Sequence, residues 1–493
     1  MDSWIKNPVI FEINTWVWLW ELSQEMHYPV TLANVPDSAW DELAQFNIDA
    51  VWLMGVWERS PAGISVSNQH PGNLADFREA LADFTVEDNV GSPYCVRQYV
   101  VDKQLGGNEG LAVARSQFHR HGIKLILDFV PNHLAHDHSW VTDYPSYFIG
   151  GSWEDLRDDP ESYAEIGGHV FTCGKDPFFP AWQDVVQVNA FHPGLREAAI
   201  ETVIKIAGQC DGVRCDMAML LVNDVFERTW VNRAGPRPES EYWEVLIPAV
   251  KRNYENFIFI AEAYWDLEWT LQQQGFDYCY DKRLYDRLKD ENAQSIRLHL
   301  MADTGYQSKL IRFIENHDEA RQTVVFQSDK NRAAAVISST LPGAKLYHDG
   351  QFEGRRVRVP VFLRRRPYEP EDKDLFAFYK KLLNVIHHPV FKEGTWQLCE
   401  CTGWPGNEGY QNLFAWYWHK HEEQFLIAVN YSGQTVEGRI TLARDNLRGA
   451  YWQFKDSLSD DIFERNGDEM HNPGLYVALG PWQFHFLQLI RQI

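Results

Sequence analysis

Short apolar runs rich in β-branched and aromatic residues alternate with helical patterns up to about residue 390. No other feature restricts the fold as much. The runs are Val9–Ile13, Ala50–Met54, Lys124–Phe129, Asp211–Asp216, Phe257–Glu262, Phe276–Tyr280, Leu310–Glu315 and Ala344–Tyr347. Between them lie the expected helices 37–46, 109–121, 194–208, 239–254, 267–274, 290–301 and 330–341, with 372–387 closing the series. Nearly continuous apolar strands separated by amphipathic helices predict a parallel sheet covered on its outer face. Eight such units predict an α/β fold of the closed (β/α)8 TIM-barrel type rather than an open sheet.

Two connections are long, 55–108 after the second strand and 134–191 after the third. Both fall at the carboxyl end of such a barrel, where active sites are built. The second is rich in Gly, Pro, Asp and Trp and is expected to form a small irregular subdomain. After His388-Pro389 the texture changes to alternating strands at 395–401, 413–418, 424–430, 436–442, 475–479 and 484–489. They predict a C-terminal antiparallel β-sandwich. The expected domains are therefore 1–133 with 192–389 as the barrel, 134–191 as the insertion and 390–493 as the sandwich.

Composition narrows the partners. A net charge of −23 argues against nucleic acid and anionic membranes. Aromatics make up 14% of the chain, with 20 Trp, and flat aromatic faces suit sugar rings. No run is long and apolar enough to span a bilayer. Met1–Lys6 does not read as a secretory signal. The 7 Cys lack paired spacing and are expected as reduced thiols in a cytoplasmic protein.

The fourth run ends Gly212-Val213-Arg214-Cys215-Asp216, with the Arg and the Asp two apart and hence on one face. Alone, that pairing reads equally as an ion pair stapling a strand to its neighbour or as a site. Three other strand ends carry matching sets: Asp128…Asn132-His133, Ala261-Glu262, and Glu315-Asn316-His317-Asp318. In a barrel these ends converge, which gathers Asp216, Glu262 and Asp318 with Arg214, His133 and His317 around them. Like charges at short range repel, so three converging carboxylates point to chemistry rather than stability. Paired carboxylates are what glycosidic cleavage needs. Arg214 is expected to hold Asp216 ionised. The apolar run before Glu262 is expected to raise that carboxyl and suit it as the acid.

These four ordered motifs make the chain resemble the α-amylase family of glycoside hydrolases, family 13, over nearly its whole length. Fainter echoes are Gly55…Pro61 and Leu341-Pro342-Gly343…Tyr347…Gly350-Gln351. The resemblance implies a retaining enzyme acting on α-glucosidic bonds in α-glucans or short α-glucosides. Asp216 would be the nucleophile, Glu262 the acid/base, and Asp318 the grip on the distorted sugar. Arg214 would orient Asp216, His133 and His317 would bond sugar hydroxyls, Asp128 would brace the site, and Tyr94 would stack beneath the sugar. The two working carboxyls should then stand roughly 5–5.5 Å apart.

The readings weighed against this one are α-glucan transglycosylation, action on a small α-glucoside such as sucrose, trehalose or glucosylglycerol, and a non-catalytic carbohydrate-binding barrel. A metal site from His133, His136 and His138 beside Asp128 is opposed by the charge of Arg214. Many family members carry Lys-His shortly after the nucleophile, whereas Met219-Leu220 stand there in this chain. No cofactor is expected, and Asn132 would be a ligand only if a structural calcium were present. Arg355, Arg356, Arg358, Arg364, Arg365 and Arg366 are expected as a solvated face, with an acidic or phosphorylated acceptor as the alternative.

Overall fold

A computed structural model describes residues 3–327, 329–442 and 447–492. Its central element is a closed parallel barrel. The strands are β1 (Val9–Asn14), β2 (Ala50–Met54), β3 (Lys124–Phe129), β4 (Gly212–Cys215), β5 (Ile258–Ala261), β6 (Tyr278–Tyr280), β7 (Leu310–Arg312) and β8 (Ala344–His348). They are neighbours in sequence order around the ring. The barrel foreseen from the apolar runs is therefore present. β6 and β7 are shorter than their runs, because the chain leaves the ladder at Phe276–Asp277 and again from Phe313 onward.

The pairing about β4 positions the site. Arg214 lies opposite Asp128 of β3 and opposite Ile260 of β5. The ladder continues one step past the strand ends, with Asp216 N–H donating to Phe129 O at 2.9 Å and Glu262 N–H donating to Cys215 O at 3.1 Å. Gly212 lets β4 and β5 approach, since a Cβ there would stand 2.5 Å from Ile258 Cγ1.

Compact packing groups the chain into two units. One holds Ile10–Tyr280 with Val357–Tyr368; the other holds Ile5–Val9, Asp281–Arg356 and the chain from Glu369 onward. In the first unit the connection after β3 carries a four-stranded antiparallel sheet, with His133–Ala135, Trp182–Gln187, His169–Gly174 and Tyr163–Ile166 in that order. It has its own apolar core of Leu134, Phe148, Phe171 and Val186. The insertion is thus more regular than its Gly- and Pro-rich composition suggests.

Of the arginines after β8, Arg356 and Arg358 are exposed as expected, but Arg365 and Arg366 depart from the solvated face. Arg365 pairs with Asp88 at 2.6 Å and with Asp83 at 3.0 Å, and Arg366 pairs with Glu21 at 2.6 Å. These ion pairs fasten Val357–Tyr368 into the first unit.

In the second unit, two antiparallel sheets of six and three strands meet across one apolar core. Tyr451–Asp456 and Ile462–Asn466 are strands that sequence reasoning did not anticipate. The Trp416 and Trp418 indoles donate to Thr340 at 3.1 and 2.7 Å, so this sandwich docks on the helix Asp329–Thr340. Among the helices not foreseen are Thr15–Met26 and Lys282–Lys289. Each starts at a side-chain cap, Asn14 accepting from Val17 N–H and Asp281 accepting from Leu284 N–H. All seven cysteines are free and buried. Among the described residues, no helix is long and apolar enough to cross a membrane.

Candidate active site

Arg214 is 1% exposed and is the hub of the first unit's charged cluster. Its Nη1 donates to Asp216 Oδ1 at 2.7 Å and stands 3.8 Å from Asp128 Oδ1. Its Nη2 forms an ion pair with Glu262 Oε2 at 2.9 Å. Its Nε donates to the Tyr280 hydroxyl at 3.3 Å. Rings of Trp52, Tyr94 and Tyr280 lie 5.2, 5.2 and 5.6 Å from its guanidinium carbon. Burial alone would lower the arginine's pKa, but the fields of Glu262, Tyr94, Tyr280 and Asp216 override it and hold the group well above its ordinary value. One fixed cation therefore serves two buried carboxylates, with a third close by.

Local backbone delivers each carboxylate. Asp216 follows the last residue of β4, and Met217 after it turns left-handed at φ 45°. That turn aims the Met217 N–H at Glu262 Oε2, 2.6 Å away. Tyr264 donates its hydroxyl to the other oxygen, Glu262 Oε1, at 2.8 Å. The strand before Glu262 is apolar as expected, but the carboxyl itself is met by a cation, an amide and a phenol. The turn Ala218–Leu221 is wholly buried, so Met219 and Leu220 serve packing.

Asp128 is held by Gly55 N–H at 3.3 Å, and its carbonyl accepts from the Trp57 indole at 2.8 Å. Gly55 sits at φ +79°, and a Cβ on it would come 2.5 Å from Arg59 Nη2. His133 bonds the backbone of Tyr94 and faces the Trp182 ring at 5.0 Å. Burial drives its pKa down to about 4, so the ring is neutral at physiological pH. The first unit thus brings together Arg214, Asp216, Glu262, Asp128, Tyr94 and His133. Sequence reasoning missed Tyr280, Tyr264 and the Met217 amide. The one available signal was Tyr264, two residues beyond Glu262.

The seventh-strand motif belongs to the second unit. Asn316 Oδ1 accepts from the N–H groups of Asp318 and Glu319 at 3.0 and 2.9 Å, which folds the segment into a tight turn. His317 is 2% exposed and its Nε2 lies 2.9 Å from Asp318 Oδ2. The Asp318 side chain is 46% exposed. Glu315 is clamped by Arg321 at 2.7 Å and by Gln322 N–H at 2.7 Å.

Asn132 does not fit a calcium ion. Its carbonyl and its Oδ1 both accept from Gln187 Nε2, at 2.9 and 3.0 Å, so an amide donor stands where a cation would need oxygen ligands. His138 caps the helix Ser139–Asp143, and no group of three His, Cys, Asp or Glu side chains among the described residues is placed to hold a metal.

Residues 40–359 match the family model "Alpha amylase, catalytic domain". The chain belongs to the α-amylase family. The Haloarcula japonica protein named α-amylase MalA is 24% identical over 403 residues, covering 78% of this chain but 49% of that protein. α-Amylase 3 of Dictyoglomus thermophilum is 21% identical, covering 75% of this chain and 69% of its own length. The chain thus spans about half the length of the first of these relatives. Among solved structures, a maltogenic α-amylase from Thermotoga neapolitana aligns with a TM-score of 0.69 at 18% identity, over 98% of this chain and 99% of that one. The acarbose complex of the Geobacillus thermoleovorans α-amylase aligns with a TM-score of 0.68 at 17% identity, over the whole of both chains. At these identities the likeness of α-amylase-family structures speaks for the fold.

Proposed function

We propose that the protein is a retaining glycoside hydrolase that cleaves α-glucosidic bonds in α-glucans or short α-glucosides through a covalent glycosyl-Asp216 intermediate. The observation that carries this reading is the sharing of one buried guanidinium by Asp216 and Glu262. One cation holds the two carboxylates side by side, as a double displacement needs if they are to flank one bond.

In the first step an Asp216 oxygen bonds the anomeric carbon as the glycosidic C–O bond breaks. Glu262 gives its proton to the departing oxygen. In the second step water attacks the same carbon from the opposite side, Glu262 takes the water's proton, and Asp216 leaves as carboxylate. Arg214 holds Asp216 in line, and the Met217 amide with Tyr264 fixes the angle of Glu262. His133, as a neutral ring, offers a hydrogen bond to a sugar hydroxyl without adding charge. Tyr94 supplies a face for the sugar, and Asp128 braces Arg214. Asp318, turned by Asn316 and paired with His317, is assigned the grip on the sugar as it flattens.

The seven buried free thiols suit a reducing compartment, the cytoplasm. The test is to incubate the protein with maltooligosaccharides, sucrose, trehalose and glucosylglycerol and follow the products by proton NMR. The α-anomer should form first from at least one of them; inverted product from any would remove the double displacement.

A further inference from the structure

A cavity of about 260 Å³ in the second unit collects polar groups that the catalytic chemistry does not use. It is lined by Asp329, Asn331 and Arg332 from the segment after β7 and by Arg356 and Asp372 from the segment after β8. Two helices begin at it, Asp329–Thr340 and Lys373–Ile386. The second is capped by Asp372 Oδ1, which accepts from the N–H groups of Asp374 and Leu375 at 3.1 and 3.0 Å.

Asn331 is 4% exposed, and neither its Oδ1 nor its Nδ2 has a hydrogen-bond partner among the described residues. A buried amide left unpaired is destabilising, and native folds keep few of them. The Arg332 guanidinium carbon lies 5.7 Å from the Phe378 ring. Arg356 bonds through its backbone N–H, which donates to Glu369 Oε1 at 2.8 Å. Among the described residues, no carboxylate or carbonyl accepts from either guanidinium. Arg365 and Arg366 of the same arginine run are paired with acids, so Arg356 differs from them in kind.

Two guanidiniums, two helix N-termini and a buried amide donor all favour a negatively charged oxygen. Asp329 and Asp372 balance the two arginines and offer acceptors, which suits a ligand that carries hydroxyls beside its anionic group. A phosphate brings about two negative charges and several acceptor oxygens that match the arginine fork, whereas a carboxylate brings about one charge. In (β/α)8 barrels the loops after the seventh and eighth strands, with a helix N-terminus, recurrently cradle phosphate. The volume suits a small molecule rather than a polymer.

We propose that this cavity binds a phosphate monoester of a small polyol, with Arg332, Arg356 and the Asn331 amide taking the phosphate and Asp329 and Asp372 taking hydroxyls. Such a site stands apart from the glycosidic chemistry and holds whether or not Asp216 forms a covalent intermediate.

The test is titration calorimetry on the full chain at low ionic strength with glucose 6-phosphate, glucose 1-phosphate, glycerol 3-phosphate, inorganic phosphate and glucose. At least one monoester should bind about tenfold or more tighter than inorganic phosphate and glucose. Arg356→Gln and Arg332→Gln should each weaken that monoester about tenfold. Asn331→Leu should weaken it as well, yet raise the thermal midpoint of the ligand-free protein, because it removes an unpaired buried amide at similar volume. No heat from any monoester up to about 10 mM overturns the proposal, as does inorganic phosphate binding as tightly as every monoester. Equal binding by the parent and both arginine variants also overturns it. So does a fall in the ligand-free midpoint of Asn331→Leu, which would show the amide to be satisfied within the fold.

Discussion

Two buried arginines, one in each compact unit, show how differently the same side chain is used. Arg312 is 1% exposed and each of its three nitrogens has an acceptor: Asp281 Oδ2 for Nη1, the Gln307 carbonyl and side chain for Nη2, and Pro342 O at 3.3 Å for Nε. Asp281 is in turn met by His299 Nε2 at 3.0 Å and by Leu284 N–H at 3.1 Å. Burial would raise that carboxyl, but His299 and Arg312 outweigh it and hold it far below the usual carboxylate range. That cluster surrounds one carboxylate with cations and donors, Arg287 completing it at 3.0 Å from His299 Nδ1. Arg214, equally buried, faces Asp216 and Glu262 directly and Asp128 at 3.8 Å. There one guanidinium is shared by more than one carboxylate. The contrast is between one carboxylate on Arg312 and two sharing Arg214, and it is the second arrangement that a double displacement would use.

The comparison breaks most sharply at the aspartates. Asp216→Ala should lower kcat on maltooligosaccharides on the order of 10⁴-fold or more, with a thermal midpoint near the parent's. Near-normal turnover would show the sharing to be incidental. Asp281→Ala should do the reverse. It leaves Arg312 buried and uncompensated, costing about 3–5 kcal/mol in denaturant unfolding, while turnover per folded molecule is kept. Arg214→Lys tests the fork itself. A lysine cannot serve two carboxylates in that geometry, and kcat should fall about 10²-fold with KM changing much less. A pure KM effect would assign Arg214 to binding alone.

The smallest effect concerns His133. Its folded pKa of about 4 lies below the ordinary value of 6.5, so between those limits the unfolded chain binds the extra proton. Its neutral burial therefore costs stability progressively as pH falls from 6.5 toward 4. Against His133→Asn, which does not titrate, the parent should lose on the order of 1 kcal/mol per pH unit across that window. A parent-minus-variant stability independent of pH would mean that His133 is not neutral in the fold.

The aspartate and arginine motifs were legible because strand ends write themselves locally. A period-two face joins Arg214 to Asp216, and apolar runs announce β3, β4 and β5. Tyr280 was invisible because its role depends on a ring crossing the barrel interior to an arginine 66 residues away. The Met217 amide was invisible because backbone N–H groups have no letter of their own. Arg365 and Arg366 read as solvated because their partners Asp83, Asp88 and Glu21 lie some 280 to 345 residues earlier. The insertion sheet was masked by turn residues lying between very short strands.

By itself the chain determined its barrel, its antiparallel C-terminal region and the acidic residues at the strand ends. Periodicity and burial cost act between near neighbours, and they leave a pattern in the order of residues. Only the tertiary structure decided which guanidinium each carboxylate shares, that Gln187 donates to Asn132, and that Arg365 and Arg366 meet acids far earlier in the chain. Those outcomes depend on distances between segments far apart in sequence. Such distances are set by how strands register and helices pack, which no local stretch encodes.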